Sequence, residues 1–230
     1  MKVDYSIVIP SFNESKNIIN IFNEIKLSLK GNYEIIYVDD GSNDNSTYYY
    51  DKLKNEPNVV IIKNSNNLGQ SKSLENGIKI SKSDTIVTID GDCQNDPKDI
   101  MKLLEIYKKD NIALVGGIRA KRKDTIVKKI SSIIANKVRS YILNDNCPDT
   151  GCGLKIFSKQ VFQMLPYFNG IHRFLPALFI GFGYNTSFVF VNHRKREIGK
   201  SNYGVLNRLF KGIIDIYRVK IIINKSKKND

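Results

Sequence analysis

Residues 85–97 read TIVTIDGDCQNDP, an apolar run that ends in carboxylates, an amide and a proline. Ile86, Val87 and Ile89 predict a buried strand, and Pro97 marks where regular structure stops. Asp90, Asp92 and Gln94 are spaced two apart, so an extended backbone would project all three side chains to one side. Three oxygen donors would then converge on one point. Mg²⁺ and Mn²⁺ favour oxygen ligands, and Mg²⁺ is commonly held by one or two carboxylates together with substrate phosphates and water. A helix-capping turn is the competing reading, because Asp96-Pro97 also suits the start of a helix over 98–109. That accounts for Asp96 and leaves Asp90 and Asp92 unexplained.

Outward from this stretch, the same grammar repeats. Residues 3–9 form a β-branched run followed by the polar turn PSFNES, then Ile18, Ile21, Phe22 and Ile25 at helical spacing. A second strand over 33–38 ends in Asp39-Asp40-Gly41-Ser42 and precedes a helix over 47–55. A third over 59–63 is followed by the turn NNLGQS and a helix reaching about residue 81. After residue 97 come a helix over 99–109 and a strand over 113–118. Strands alternating with helices at this spacing predict an α/β fold with a mostly parallel central sheet and helices on both faces. Each polar turn then lies at the C-terminal end of its strand, the ligand edge of an open α/β sheet. Glu14, Asp39, Asp40, Asp90 and Asp92 would crowd one crevice, where carboxylates repel unless a cation or hydrogen-bond donors offset them. Neither a dinucleotide loop nor a phosphate-binding P-loop is present, which argues against NAD or a P-loop nucleotide.

The chain has 230 residues and 41% hydrophobic content, enough for one large core. Its longest apolar-leaning stretch, 174–184, is too short to span a bilayer, and no secretory leader is expected before the first strand. Three cysteines without metal-ligand spacing fit reduced thiols. The net charge of +13 is unevenly placed: residues 1–115 carry 14 Lys/Arg and 17 Asp/Glu, whereas residues 116–230 carry 22 and 6. Either an anionic partner of the C-terminal half or a solvated basic surface accounts for this.

That half also has its own pattern. The run RAKRK over 119–123 precedes Ile126, Ile130, Ile133, Ile134 and Tyr141 at helical spacing, interleaved with Lys128, Lys129 and Lys137. Such a helix can lie in a membrane interface, pack on the sheet, or do both. Further on, DTGCG (149–153) is a small-residue turn before a strand over 154–157. An apolar helix follows from 171, and a strand over 184–191 leads into the basic segment HRKREIGKSNYG. An amphipathic helix over 205–223 and a frayed tail over 225–230 complete the chain.

Taken in order, IVIPSFNES, VDDGS, NLGQS, TIDGDCQNDP, DTGCGLKIFS, HRFLPAL and HRKREIGKSNYG resemble the family-2 glycosyltransferases of the GT-A fold. The branch is that of dolichol-phosphate mannosyltransferases and bacterial polyprenyl-phosphate sugar transferases. Each motif is weak alone; the ordered set is specific. The resemblance implies one GT-A domain over 1–224, with a nucleotide-sugar half (1–118) and a basic acceptor- or membrane-facing half (119–224). It implies that Pro10, Phe12, Glu14, Asp39, Asp40, Gln70, Asp90 and Gly91 bind a GDP- or UDP-hexose. Asp90, Asp92 and Gln94 would hold Mg²⁺ or Mn²⁺, in agreement with the spacing. Arg119 falls at the family's phosphate-contacting arginine, and Arg196 with Ser201 in its acceptor-side loop. Lys128 and Lys129 add positive charge. Asn202 stands where the branch usually has lysine, with Lys200 as a neighbour able to compensate.

An inverting hexosyl transfer to a polyprenyl phosphate at the cytoplasmic membrane face is the leading expectation. A phosphate acceptor arrives ionised and needs no base, whereas a hydroxyl acceptor in surface-polysaccharide synthesis would, with Asp149 placed by motif for that role. Catalysis would centre on Asp92, Asp149, Arg119 and Arg196. An inactive module that binds an anionic surface is a more distant alternative, and nucleic acid is not expected as a partner because stacking aromatics are not evident.

Overall fold

The fold is seen in a computed structural model that describes residues 2–109, 111–120, 136–195 and 205–229, with the backbone alone at 205–211 and 228–229. Seven strands form one sheet: β1 (Tyr5–Ser11), β2 (Tyr33–Asp39), β3 (Val59–Lys63), β4 (Thr85–Thr88), β5 (Ile112–Arg119), β6 (Lys155–Ser158) and β7 (Asn185–Val191). Their order is β3-β2-β1-β4-β6-β5-β7. All run parallel except β6, which pairs antiparallel with both β4 and β5.

Burial explains why the central strands read as continuous apolar runs. Ile7, Ile9, Ile35, Tyr37 and Val87 point into one core, and Val8, Ile36, Val38 and Ile86 into the other, as the two-residue period of a strand requires. The first core is covered by α1 (Ser15–Ser28), α2 (Ser46–Leu53) and α4 (Asp99–Tyr107), the second by α3 (Gln70–Ile80), α5 (Lys159–Met164), α6 (Leu175–Gly181) and α7 (Val205–Asn229). Helix α1 shows the underlying pattern. Ile18, Ile21, Phe22 and Ile25 are buried on one face, and each such side chain contributes about 1.5–3 kcal/mol by leaving water. Helix α3 lies close against β1 and β2 because Gly77 has no side chain; a Cβ there would stand 2.5 Å from Val8 Cγ1 and 2.9 Å from Val38 Cγ2.

Three features depart from the sequence expectation. The strand after the DTGCG turn is antiparallel, inserted between β4 and β5. The apolar stretch from residue 171 is split into a 3-10 turn, Ile171–Arg173, and α6. Finally, α7 continues to Asn229, so 225–229 are helical and not a frayed tail. Ile223 packs against Gly181, and the Ser226 hydroxyl reaches the Gly181 carbonyl at 3.5 Å, fastening this end of the helix to α6.

The amphipathic helix expected after residue 120 falls largely on residues 121–135, outside the described set. Its last turns, 136–143, are helical. Leu143 is buried in the second core, whereas Val138 and Tyr141 are exposed, Tyr141 by 86%. Arg139 and Asp145 form an enclosed pair at 3.1 Å, and Arg139 also donates to the Cys147 carbonyl. The three cysteines are free thiols.

Candidate active site

The loops that follow β1 and β2 are laced to each other. Asn13 N–H donates to Ser42 Oγ at 2.9 Å, Asn43 N–H to Asn13 Oδ1 at 2.9 Å, and Ser15 N–H to Asp44 Oδ2 at 3.1 Å. Pro10 lies near the end of β1 beside Val38, and Phe12 is half-buried just beyond the strand. Glu14, at the start of α1, accepts from Asn17 Nδ2 at 2.6 Å.

The two adjacent aspartates after β2 have different work. Asp40 is saturated: Oδ1 accepts from Leu68 N–H at 2.9 Å and Asn64 Nδ2 at 2.8 Å, and Oδ2 from Gly69 N–H at 2.8 Å. It therefore braces the NLGQS turn. Asp39 accepts Ser42 N–H at 2.9 Å through Oδ1, whereas its buried Oδ2 accepts no hydrogen bond and has only the Lys63 ammonium at 3.7 Å. Of the pair, Asp39 is the one with an oxygen left without a hydrogen bond.

The braced turn starts α3 and delivers Gln70, whose Nε2 donates to Asp90 Oδ1 at 2.7 Å. Asp90 sits just beyond β4 over Gly153, where a Cβ would come within 2.1 Å of its Oδ2. Burial pushes the Asp90 carboxyl up to about 6, with Asp92 adding repulsion, against the opposing pull of Lys155, Arg119 and the Gln70 amide. Lys155 is itself buried and donates to the Cys152 and Thr150 carbonyls, which fixes the DTGCG turn beneath Asp90. Gly91 backs onto the Pro10 carbonyl.

The extended geometry expected for Asp90, Asp92 and Gln94 is not what brings them together. β4 ends at Thr88, and the backbone turns at 91–93 with Cys93 at φ 59°. Asp92 Oδ1 accepts Gln94 N–H at 3.1 Å, and Gln94 Nε2 donates to the Arg194 carbonyl at 3.2 Å. The turn crowds the two carboxylates by a route that alternation in a strand does not describe. Among the described residues no three of His, Cys, Asp and Glu are grouped to enclose a metal ion. The crowded pair nevertheless fits a hard cation completed by ligand phosphates, since charge that is unfavourable between Asp90 and Asp92 alone becomes favourable with a dication beside them.

A stability consequence follows. With its folded pKa raised above the ordinary carboxylate range, Asp90 stabilises the fold most when protonated, and that contribution is lost as pH rises through about 6. Asp90→Asn is therefore expected to stabilise the metal-free protein at pH 7.5 by no more than about 3 kcal/mol, seen as a higher thermal midpoint, with the gain shrinking below pH 5. Calorimetry across pH checks it; a lower midpoint at pH 7.5 would count against a strained carboxylate.

Arg119 closes β5 and forks onto Asp149, Nε to Oδ2 and Nη2 to Oδ1, both at 2.7 Å, while its own N–H donates to Oδ2 at 3.1 Å. Burial works against the guanidinium charge, and Asp149, followed by Cys152 and Asp90, more than offsets it, so Arg119 is held cationic. Both Asp149 oxygens are thus engaged. Lys128, Lys129, Arg196 and Ser201 lie outside the described residues. His172 bonds Ser71 Oγ through Nδ1 at 2.7 Å, and His193 forms a bridge with Asn95.

Sequence reading missed Ser42, Asp44 and Asn64 as loop braces. All three are polar residues at or just beyond strand ends, and that position was the available signal.

The fold, a mostly parallel seven-stranded sheet with acidic turns at one edge, is that of the GT-A glycosyltransferases. It superposes on glucosyl-3-phosphoglycerate synthase from Mycobacterium tuberculosis, solved in complex with Mn²⁺, UDP and glucosyl-3-phosphoglycerate, with a TM-score of 0.70 and 16% identity over 94% of this chain and 78% of that one. Residues 6–165 match the family described as glycosyl transferase family 2, and the chain belongs to that family. It is 32% identical over 225 residues to dodecaprenyl-phosphate galacturonate synthase of Rhizobium johnstonii, covering 94% of this chain and 66% of that protein. It is 31% identical to undecaprenyl-phosphate 4-deoxy-4-formamido-L-arabinose transferase of Yersinia pestis, covering 87% of this chain and 63% of the relative. The chain thus spans less than two thirds of the length of these relatives.

Proposed function

We propose that this chain transfers a hexose-type sugar from a nucleotide diphosphate to a polyprenyl phosphate, with inversion at the sugar carbon. The observation that carries the reading is the crowding of Asp90 and Asp92 at the carboxyl edge of the sheet, on a family-2 scaffold similar to polyprenyl-phosphate transferases. Asp39 and the laced loops would receive the nucleoside. Gln70 orients Asp90, and Asp90, Asp92 and Gln94 would hold Mg²⁺ or Mn²⁺. When bound, the ion supplies the charge that offsets the leaving diphosphate. Arg119, kept cationic by Asp149, adds positive potential on the acceptor side, with Lys128, Lys129, Arg196 and Ser201 assigned there by motif. A phosphate acceptor suits this arrangement, because Asp149, the candidate base for a hydroxyl, has both oxygens committed to Arg119.

A lipid acceptor also suits the surface. No helix among the described residues is long and apolar enough to cross a membrane. Exposed Val138, Tyr141 and Ile142 lie beside α7, where Ile213, Ile214 and Tyr217 are 60–71% exposed, and Lys220 Nζ joins the two by donating to the Ile142 carbonyl at 2.9 Å. Apolar side chains with basic neighbours suit the interface of an anionic bilayer, where each nearby Lys or Arg adds about 1 kcal/mol. We place the enzyme on the cytoplasmic face.

The direct assay presents GDP- and UDP-sugars with Mg²⁺, Mn²⁺ or chelator, with and without vesicles containing polyprenyl phosphate. Metal-dependent label in the vesicle fraction is the expected result. Transfer to a soluble sugar without vesicles would replace the lipid acceptor by a hydroxyl, and inactivity with every donor would favour a surface-binding module.

A further inference from the structure

Arg194 follows β7 and precedes the basic segment that contains Arg196. Its backbone pairs with the carboxylate turn in both directions: Arg194 N–H donates to the Gln94 carbonyl at 2.8 Å, and Gln94 Nε2 donates to the Arg194 carbonyl at 3.2 Å. The Asn95–His193 bridge extends this pairing. Its guanidinium spans two further elements, with Nη1 at 2.8 and 2.7 Å from the two Glu24 oxygens on α1 and Nη2 at 3.0 Å from Asp96 Oδ1. Arg194 and Asp92 also line the same polar cleft, of about 330 Å³, against Asn17 and Glu24.

The Arg194 side chain is 38% exposed, so solvent screens its ion pairs and they add little stability. Geometry is the larger contribution. A planar fork held by two carboxylates, with its own peptide paired to Gln94, fixes direction as well as distance.

We propose that Arg194 is a positioning residue for sugar transfer, docking the chain that leaves β7 onto the turn bearing Asp92 and Gln94. Residues 193–194, just beyond β7, and the carboxylate turn are thereby held in one register. This rests on the functional reading above. Arg194 touches no reacting group in this role; it acts through Gln94.

The test uses Arg194→Ala, Arg194→Lys and Glu24→Gln in the full chain. Arg194→Ala is expected to lower kcat/KM for polyprenyl phosphate by about 10- to 100-fold, the scale of a displaced reacting group, while nucleotide Kd stays within about 2-fold. Arg194→Lys keeps charge but not the fork, so it should remain within about 3-fold of the alanine variant; Glu24→Gln should fall between parent and alanine. Hydrogen exchange without substrate should show the amides of residues 94 and 194 exchanging at least about 10-fold faster in Arg194→Ala. Full recovery by lysine, equal loss of nucleotide affinity, or unchanged exchange would each overturn the proposal. Because exchange is read without donor or acceptor, it decides the docking even if the parent protein transfers nothing to polyprenyl phosphate.

Discussion

Asp92→Ala is expected to reduce sugar transfer by at least about 10²–10³-fold, the scale seen when a group that stabilises transition-state charge is removed. Its fold should survive. Asp92 is half-buried on a turn and accepts the Gln94 N–H, a bond worth about 1 kcal/mol. The loss should therefore appear in turnover at saturating donor, with a thermal midpoint only a few degrees lower. Metal affinity should fall in step with turnover, which separates a ligand from a turn former. If Asp92→Ala kept metal-dependent turnover, Asp92 would be removed from the metal set and the acidic turn would be reduced to architecture.

Gly153→Ala is the second large effect, and it isolates Asp90 without touching it. The added methyl would stand 2.1 Å from Asp90 Oδ2 and 2.3 Å from its Cγ, so the carboxylate must move. A side-chain end can swing at modest cost, and the fold should lose no more than the 1–3 kcal/mol typical of local overpacking. Activity has less tolerance. A carboxylate displaced by about 1 Å from its productive place costs about 10²-fold. Rate and stability should consequently separate: transfer down by about two orders of magnitude, with a cooperative transition retained. Transfer within about 3-fold of the parent would show that Asp90 need not sit over the DTGCG turn.

How much of this was readable beforehand depends on distance along the chain. The first four strands, the helices between them and the acidic sheet edge follow from local periodicity, because each strand such as 33–38 is buried on both faces and each helix such as α1 on one. The antiparallel placement of β6 does not follow, because a four-residue strand carries no signal of its partners when thirty-five residues separate it from β5. The site divides in the same way. Asp39, Asp40, Asp90 and Asp92 announce themselves by charge at strand ends, but the division of labour between Asp39 and Asp40 depends on where Leu68, Gly69 and Asn64 arrive. Arg194 looked like one basic residue among several; its bonds to Glu24 and Asp96 are long-range and leave no local mark. The extended geometry expected of Asp90, Asp92 and Gln94 does not hold, since Cys93 turns the backbone between them.

The bonds that join Asn13 to Ser42 and Asn43, and Ser15 to Asp44, have a thermodynamic meaning beyond holding two loops. Ordering a free loop around a ligand consumes part of the binding energy, because each immobilised residue gives up conformational entropy. Here that ordering is completed during folding. Under the proposed function the nucleotide end of the cleft would be preorganised, so association there would spend little on shaping the protein and leave more of the contact energy for the sugar-bearing diphosphate.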